Sequence, residues 1–282
     1  MRPVTCLALC ALALAGCGGD DSGDAREGPR LKLVYERIDS TLAEAPQGVP
    51  EAGQPGDAPN TDGGVTPAAM EPFLDDVLAD VERYWARTLA EGGATAPAVK
   101  HQWLDPGERL ETACRSAGGG MYVADDDAAA YCPADDTIYF SSRFAAEVWQ
   151  GLRDQRLPGA SLGHGRAIGD FGVAYVVAHE YAHNVQWEKG FGIREGNEFL
   201  PTRQFELNAD CLAGLWANSV YLEGRIAPGD VQEAIGTVLA VGSFDVKSVD
   251  HHGTPKERRE AWQTGYGNGD PEDCGTYLEP TA

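Results

Sequence analysis

The stretch of this sequence that could do chemistry is His179-Glu180-Tyr181-Ala182-His183. Residues four apart lie on one face of an α-helix, so His179 and His183 can direct both imidazoles to one metal ion. Glu180 is rotated by about 100° from His179 on such a helix, which places its carboxylate beside the ion and not among its ligands. This position suits a general base that takes a proton from a metal-bound water. The pattern therefore predicts a hydrolytic site with one Zn²⁺ per chain.

A zinc ion held by two histidines needs a third protein ligand and an open position for water. The pattern H-E-x-x-H-x-x-G-x-x-H would supply a third histidine, but Gln186 and Lys189 occupy its Gly and final His positions. The next predicted helix offers Glu206 and Asp210, which are four residues apart and share a face. We expect Glu206 to be the third ligand. We expect Asp210 to orient a ligand histidine by accepting its other N–H.

Amide hydrolysis by such a site also needs a donor, besides zinc, for the oxyanion that develops on the carbonyl. His252 lies in a loop with Gly253 and Thr254 and is the candidate for this second catalytic role. Tyr181 and His251 are its rivals.

Two long helices must position these groups. One is predicted over Phe171–Lys189, with Asp170 as its cap, and the other over Thr202–Glu223, where Ala209, Ala213 and Gly214 would permit close approach to a partner. Helices outnumber strands and do not alternate regularly with them, which predicts an α+β fold and not a doubly wound sheet. The remaining predicted helices are Phe73–Leu89, Phe144–Leu152, Gly229–Val241 and Pro255–Thr264, and the predicted strands are Gly120–Ala124 and Thr137–Phe140.

The N-terminus predicts export. Residues 1–16 combine Arg2 with a short apolar run and end in Leu14-Ala15-Gly16-Cys17, which resembles a bacterial lipoprotein signal whose processing leaves an acylated Cys17. A plain signal peptide followed by a chance cysteine is the alternative. Residues 17–70 are predicted to be an acidic, Gly- and Pro-rich tether, largely disordered, because ten of the 27 residues from Ala43 to Ala69 are Gly or Pro and none is aromatic. Within the tether, Leu31–Ile38 has part of the apolar alternation of a β-strand, and the sequence does not decide whether a strand forms there.

An exported chain is expected to use its cysteines in disulfides. Of seven cysteines, Cys6 and Cys10 would leave with the signal and Cys17 would be acylated. The four that remain allow three pairings, of which Cys114–Cys132 and Cys211–Cys274 are favoured. A cysteine metal cluster is disfavoured because it needs close C-x-x-C pairs, which are absent from the sequence.

Two long stretches, Asp170–Gln186 and Glu206–Trp216, resemble the neutral zinc metallopeptidases of bacteria. Shorter stretches that share the resemblance are Tyr131–Asp135, His252-Gly253-Thr254 and Gly269-Asp270-Pro271 before Cys274. The resemblance covers roughly residues 72–274 and implies a mostly helical, zincin-like peptidase domain of the Glu-zincin type. That domain would have a small β-sheet and an active-site HExxH helix, and we place it at residues 71–282. Tyr181, Ala182, Asn184 and the stretch Pro255–Arg258 depart from the family's usual pattern, which bears on substrate preference more than on metal binding.

The composition narrows the function further. With 22 basic and 44 acidic side chains the net charge is −22, which argues against a nucleic-acid partner because phosphate contacts need a basic patch. We therefore expect an extracytoplasmic peptidase with a protein or peptide substrate, attached to the membrane through an N-terminal lipid. The alternatives are a non-catalytic zinc lipoprotein that binds envelope proteins or cell wall, and a zinc amidase acting on peptidoglycan stem peptides.

Overall fold

The computed structural model describes residues 65–95, 97–116, 119–190, 193–194, 198–199, 201–248 and 251–278. The predicted signal, Cys17, the strand candidate Leu31–Ile38 and the tether up to residue 64 lie outside the described residues.

Helices make up most of the described chain. α1 and α2 precede the HExxH helix α3, and α4 to α7 follow it. Their bounds are α1 Met70–Glu91, α2 Ser142–Trp149, α3 Asp170–Glu188, α4 Thr202–Leu222, α5 Asp230–Val241, α6 Pro255–Asn268 and α7 Pro271–Gly275. None of the helices in the described ranges has both the length and the apolar character that a membrane span requires.

The strands are short and form small sheets. Their bounds are β1 Lys100–Leu104, β2 Leu110–Arg115, β3 Met121–Ala124, β4 Ala129–Cys132, β5 Thr137–Ser141, β6 Ile193–Arg194 and β7 Glu198–Phe199. The central sheet has the order β1-β5-β4, with β1 parallel and β4 antiparallel to β5. β2–β3 and β6–β7 are separate antiparallel pairs. This mostly helical architecture with a small mixed sheet confirms the predicted α+β class.

Helix α3 runs through the middle of the domain. Every residue from Phe171 to Gln186 is buried, because α1, α4, α5 and strand β4 pack around it. An α-helix at the surface would show a polar face. Here the polar residues of α3, including both histidines of the motif, lie inside the core and must find partners there.

Helices α4 and α6 cross at a pair of glycines. A Cβ at Gly214 would lie 2.2 Å from the Trp262 carbonyl oxygen, and one at Gly265 would lie 2.0 Å from the Cys211 carbonyl oxygen. Only glycine allows the two backbones to approach so closely. Gly214 is one of the small residues on α4 that were predicted to permit close approach, and the helix that approaches it is α6.

Two disulfides connect the domain, and they are the two pairs that the sequence favoured. Cys114–Cys132 links β2 to β4, and Cys211–Cys274 links α4 to α7 across 63 residues. All four cysteines are fully buried.

The predicted helices occur with ends shifted by a few residues. Asp170, predicted as the cap of α3, is instead its first helical residue, and the cap position is Gly169 with a φ of 84°. Strands β1, β2, β4, β6 and β7 and helix α7 were not predicted from the sequence, because they are short and lack a clear period.

Candidate metal centre

His179 and His183 project from successive turns of α3 toward one point. Their Nε2 atoms are 3.2 Å apart, and both side chains are almost completely buried. The i, i+4 spacing accounts for this convergence, as the sequence predicted.

Glu206 on α4 completes a three-residue cluster. Its Oε2 lies 3.3 Å from His179 Nε2 and its Oε1 lies 3.7 Å from His183 Nε2. Two donors bound tetrahedrally to zinc at 2.0–2.1 Å would be about 3.3 Å apart, so the cluster has the spacing that zinc requires.

The burial of Glu206 also points to a cation. Its side chain is fully buried, and neither carboxylate oxygen accepts a hydrogen bond. A buried carboxylate that accepts no hydrogen bond is costly unless positive charge lies close to it. Burial favours the neutral acid, but the electrostatic influence of the neighbouring histidines and Arg258 holds the pKa of Glu206 well below its usual value. The residues present therefore fit a divalent metal ion with nitrogen and oxygen ligands.

Asp210 holds His179 in place, one turn beyond Glu206 on α4. Asp210 Oδ1 lies 2.9 Å from His179 Nδ1 and accepts a hydrogen bond of 2.6 Å from the Tyr175 hydroxyl. Burial lowers the pKa of His179, but the Asp210 carboxylate outweighs it and raises the value to about 9 in the metal-free site. The structure thus places Asp210 against Nδ1 of His179, and its role in orienting a metal ligand stays a prediction.

The second histidine has a neutral partner. His183 Nδ1 lies 2.7 Å from Gln186 Oε1, one turn further along α3. Burial lowers the pKa of His183 to about 4, so its ring is neutral at physiological pH. A neutral imidazole is the form that binds a metal.

Glu180 lies beside the cluster and is hydrogen-bonded to the central sheet. Its Oε2 accepts a 2.8 Å hydrogen bond from the backbone N–H of Tyr131 on β4. Burial, reinforced by the nearby Glu206 carboxylate, raises the pKa of Glu180 well above its usual value. A raised pKa is typical of a carboxylate that exchanges protons during a reaction.

Of the three candidate oxyanion donors, the structure brings His252 to the cluster. His252 Nε2 lies 4.0 Å from Glu206 Oε1 and has no hydrogen-bond partner. His251 is engaged through Nδ1 with the Ser243 hydroxyl at 2.9 Å. The Tyr181 hydroxyl is engaged elsewhere, because it donates to the Pro97 carbonyl at 3.1 Å.

Arg258 is a site residue that the sequence analysis did not identify. It is 1% exposed, and its guanidinium lies 3.4 Å from Glu206 Oε2 while also pairing with Asp210. Its neighbours Lys256, Glu257, Arg259 and Glu260 give the stretch the composition of a solvated helix face. The sequence carries no signal that one of these charges is buried.

A second carboxylate cluster lies at the start of α3, away from the histidines. Asp170, Asp230 and Glu233 have oxygens within 4.8 Å of one another. Backbone N–H groups satisfy them, since Asp170 and Glu233 accept from Phe171 and Asp230 accepts from Ala227. The three carboxylates lie in the first turns of α3 and α5, where the helix dipole stabilises negative charge, so the cluster does not require a metal.

Comparisons with known proteins agree with the geometry. A family model described as "Putative neutral zinc metallopeptidase" matches residues 38–277, so the match begins inside the segment assigned to the tether. The Escherichia coli K12 protein YpfJ is 29% identical over 225 residues, which are 73% of this chain and 70% of that protein. The Mycobacterium tuberculosis protein Rv2575 is 33% identical over 172 residues, which are 52% of this chain and 54% of that protein. Neither name specifies a reaction, and no solved structure matches the chain.

Proposed function

Because the chain belongs to the neutral zinc metallopeptidase family, we propose that it hydrolyses peptide bonds, with His179, His183 and Glu206 as the zinc ligands. One observation carries the proposal. Three buried ligand atoms converge at the spacing of a zinc site, and a fourth buried group, Glu180, stands beside them without being needed to hold the ion. A structural zinc site is normally closed by four protein ligands and has no use for an adjacent base.

Zinc supplies Lewis acidity toward the attacking water and the scissile carbonyl. Glu180 accepts the proton of that water and later delivers it to the leaving amine. Its Oε2 is engaged by the Tyr131 N–H, so Oε1 is the oxygen that carries the proton. The fixed hydrogen bond orients the carboxylate, because rotation of the group would break it.

His252 is our candidate for stabilising the oxyanion. Its Nε2 is unpaired and lies at the edge of the ligand cluster, and its side chain is more exposed, at 12%, than those of the three ligands. A donor next to the three ligands can reach a carbonyl bound at the site without displacing a ligand.

We further propose that the protein works outside the cytoplasm on a lipid anchor at Cys17. The Leu14–Cys17 processing box supports this, and the two disulfides suit an oxidising compartment. Expression in a bacterial host followed by mass spectrometry of the N-terminus tests it. An acylated Cys17 in the membrane fraction is expected, and Cys17→Ser should release the protein. A mature form that retains residues 1–16 would contradict the anchor.

The decisive experiment for catalysis is Glu180→Gln in protein that lacks the signal. We expect cleavage of an unfolded protein substrate to stop while one zinc per chain is retained, because the amide keeps the shape but accepts no proton. Glu188→Gln is the matched control, an exposed residue on the same helix, and should change neither property.

Two outcomes would contradict the assignment. Loss of zinc from the Glu180 variant would make this residue a ligand and not a base. Stoichiometric zinc in the unaltered protein, with no chelator-sensitive cleavage of any peptide in a library, would favour the non-catalytic lipoprotein.

A further inference from the structure

A chain of side-chain amides connects His183 on α3 to the Cys274 carbonyl on α7. His183 Nδ1 meets Gln186 Oε1 at 2.7 Å, and Gln186 Nε2 meets Asn208 Oδ1 at 2.9 Å. Asn208 Nδ2 in turn donates to the Cys274 carbonyl at 2.8 Å. Gln186 and Asn208 are both fully buried, so no solvent competes for these bonds.

The direction of every bond in this chain is determined by two backbone carbonyls. The Cys274 carbonyl can only accept, so the Asn208 side chain must turn its NH₂ toward it and its oxygen toward Gln186. The Phe205 carbonyl accepts from Gln186 Nε2 at 2.8 Å, which fixes the Gln186 amide in the same sense. The Gln186 oxygen then faces His183, and the nitrogen that meets it must carry the proton.

We propose that Gln186 and Asn208 form an amide relay that locks His183 in its Nδ1–H tautomer, so that Nε2 presents a lone pair to the metal. Both are positioning residues, and this role rests on the proposed zinc site. The two ligand histidines are thus oriented by different means, His179 by the Asp210 carboxylate and His183 by a neutral amide. The Cys211–Cys274 disulfide holds the terminal acceptor of the relay against α4.

Two measurements test the relay, and the first does not depend on zinc. In the metal-free protein, long-range ¹H–¹⁵N NMR correlations should place the His183 proton on Nδ1, and Gln186→Leu should populate the Nε2–H form. In the second, competition with a zinc-binding dye should show that Gln186→Leu weakens zinc binding by about 10- to 100-fold, the usual effect of losing a ligand's hydrogen-bond partner. Asn208→Leu should cost less, because the Phe205 carbonyl still orients Gln186.

Asn218→Leu is the matched control. Asn218 is also buried on α4 and donates to a carbonyl, that of Tyr266, at 2.7 Å, but it has no connection to His183. It should lower the unfolding temperature as Asn208→Leu does and leave the zinc affinity unchanged.

A proton on Nε2 of His183 in the unaltered metal-free protein would overturn the relay, even if the Gln186 variant does not fold. Equal zinc affinities in the Gln186, Asn208 and Asn218 variants would overturn it as well. An unaltered protein that binds no zinc would contradict the proposed function instead, and the tautomer would still be measurable.

Discussion

Arg258 and Asp210 form a two-point ion pair inside the core, although they are 48 residues apart in the chain. Arg258 Nε lies 2.7 Å from Asp210 Oδ2, and Nη2 lies 2.9 Å from Oδ1. Since Oδ1 also lies 2.9 Å from His179 Nδ1, the pair connects α6 to the face of α3 that carries the two histidines. Burial raises the pKa of Asp210, but Arg258 and His179 outweigh it and keep the value below its usual range.

Replacing Arg258 by Met should therefore be strongly destabilising. Removal of Arg258 leaves two buried carboxylates, Asp210 and Glu206, with the His179 ring as the positive group they share, and breaking a buried pair in this way typically costs about 3–5 kcal/mol. Denaturant unfolding of the metal-free protein measures this loss. Arg203→Met is the control. Arg203 on α4 pairs at 2.7 Å with Glu257, which precedes Arg258 on α6, and both side chains of this pair are about one-third exposed. It should cost about 1 kcal/mol or less, and similar losses in both variants would show that burial does not set the strength of the Arg258 pair.

Zinc binding should release protons at pH 7. The pKa of His179 is raised to about 9, so this ring is protonated at pH 7 and must lose its proton to bind the metal. Zinc affinity should therefore rise with pH until the pH approaches 9. Calorimetry in buffers of different ionisation enthalpy should show at least one proton released per zinc.

Asp210→Asn is the control for proton release. The pKa of His179 is high because of the Asp210 carboxylate, so the amide should lower it and reduce the number of protons released at pH 7. An unchanged number in this variant would mean that another group supplies the proton.

His252→Ala should slow cleavage by about 10²- to 10³-fold, the usual effect of losing one oxyanion donor, without changing zinc content. Steady-state rates and metal analysis of the same sample measure both. His251→Ala is the neighbouring control and should leave the rate much less affected, because His251 contacts Ser243 and not the cluster. A loss of zinc in the His252 variant would make this residue a fourth ligand.

The two disulfides should differ in their contribution to stability. In the chain-entropy model the 63-residue separation of Cys211–Cys274 corresponds to about 4 kcal/mol and the 18-residue separation of Cys114–Cys132 to about 3 kcal/mol. Paired Cys→Ala variants, unfolded by denaturant without zinc, measure the difference. The Cys211–Cys274 variant should also bind zinc more weakly, since Asn208 donates to the Cys274 carbonyl, whereas the Cys114–Cys132 variant should not. The opposite order of zinc affinities would contradict this.

Much of the site could be predicted because its residues come in pairs that are only a few positions apart on one helix. The helical period alone brings His179 and His183 to one face and sets Glu180 beside them. The same period puts Glu206 and Asp210 together on the following helix, and the structure brings both to the histidines. The strands were harder to predict because β1 and β4 have four or five residues each and gain their stability from pairing with β5.

The sequence by itself determined which side chains share a helix face within one turn, and therefore the nitrogen and oxygen donors of the candidate metal centre. Only the tertiary structure decided what surrounds that centre. Arg258 reaches Asp210 because α4 and α6 cross at Gly214 and Gly265, and Asn208 finds its acceptor 66 residues away at Cys274. Such contacts depend on how the helices pack against one another, and the sequence does not distinguish a buried arginine from an exposed one.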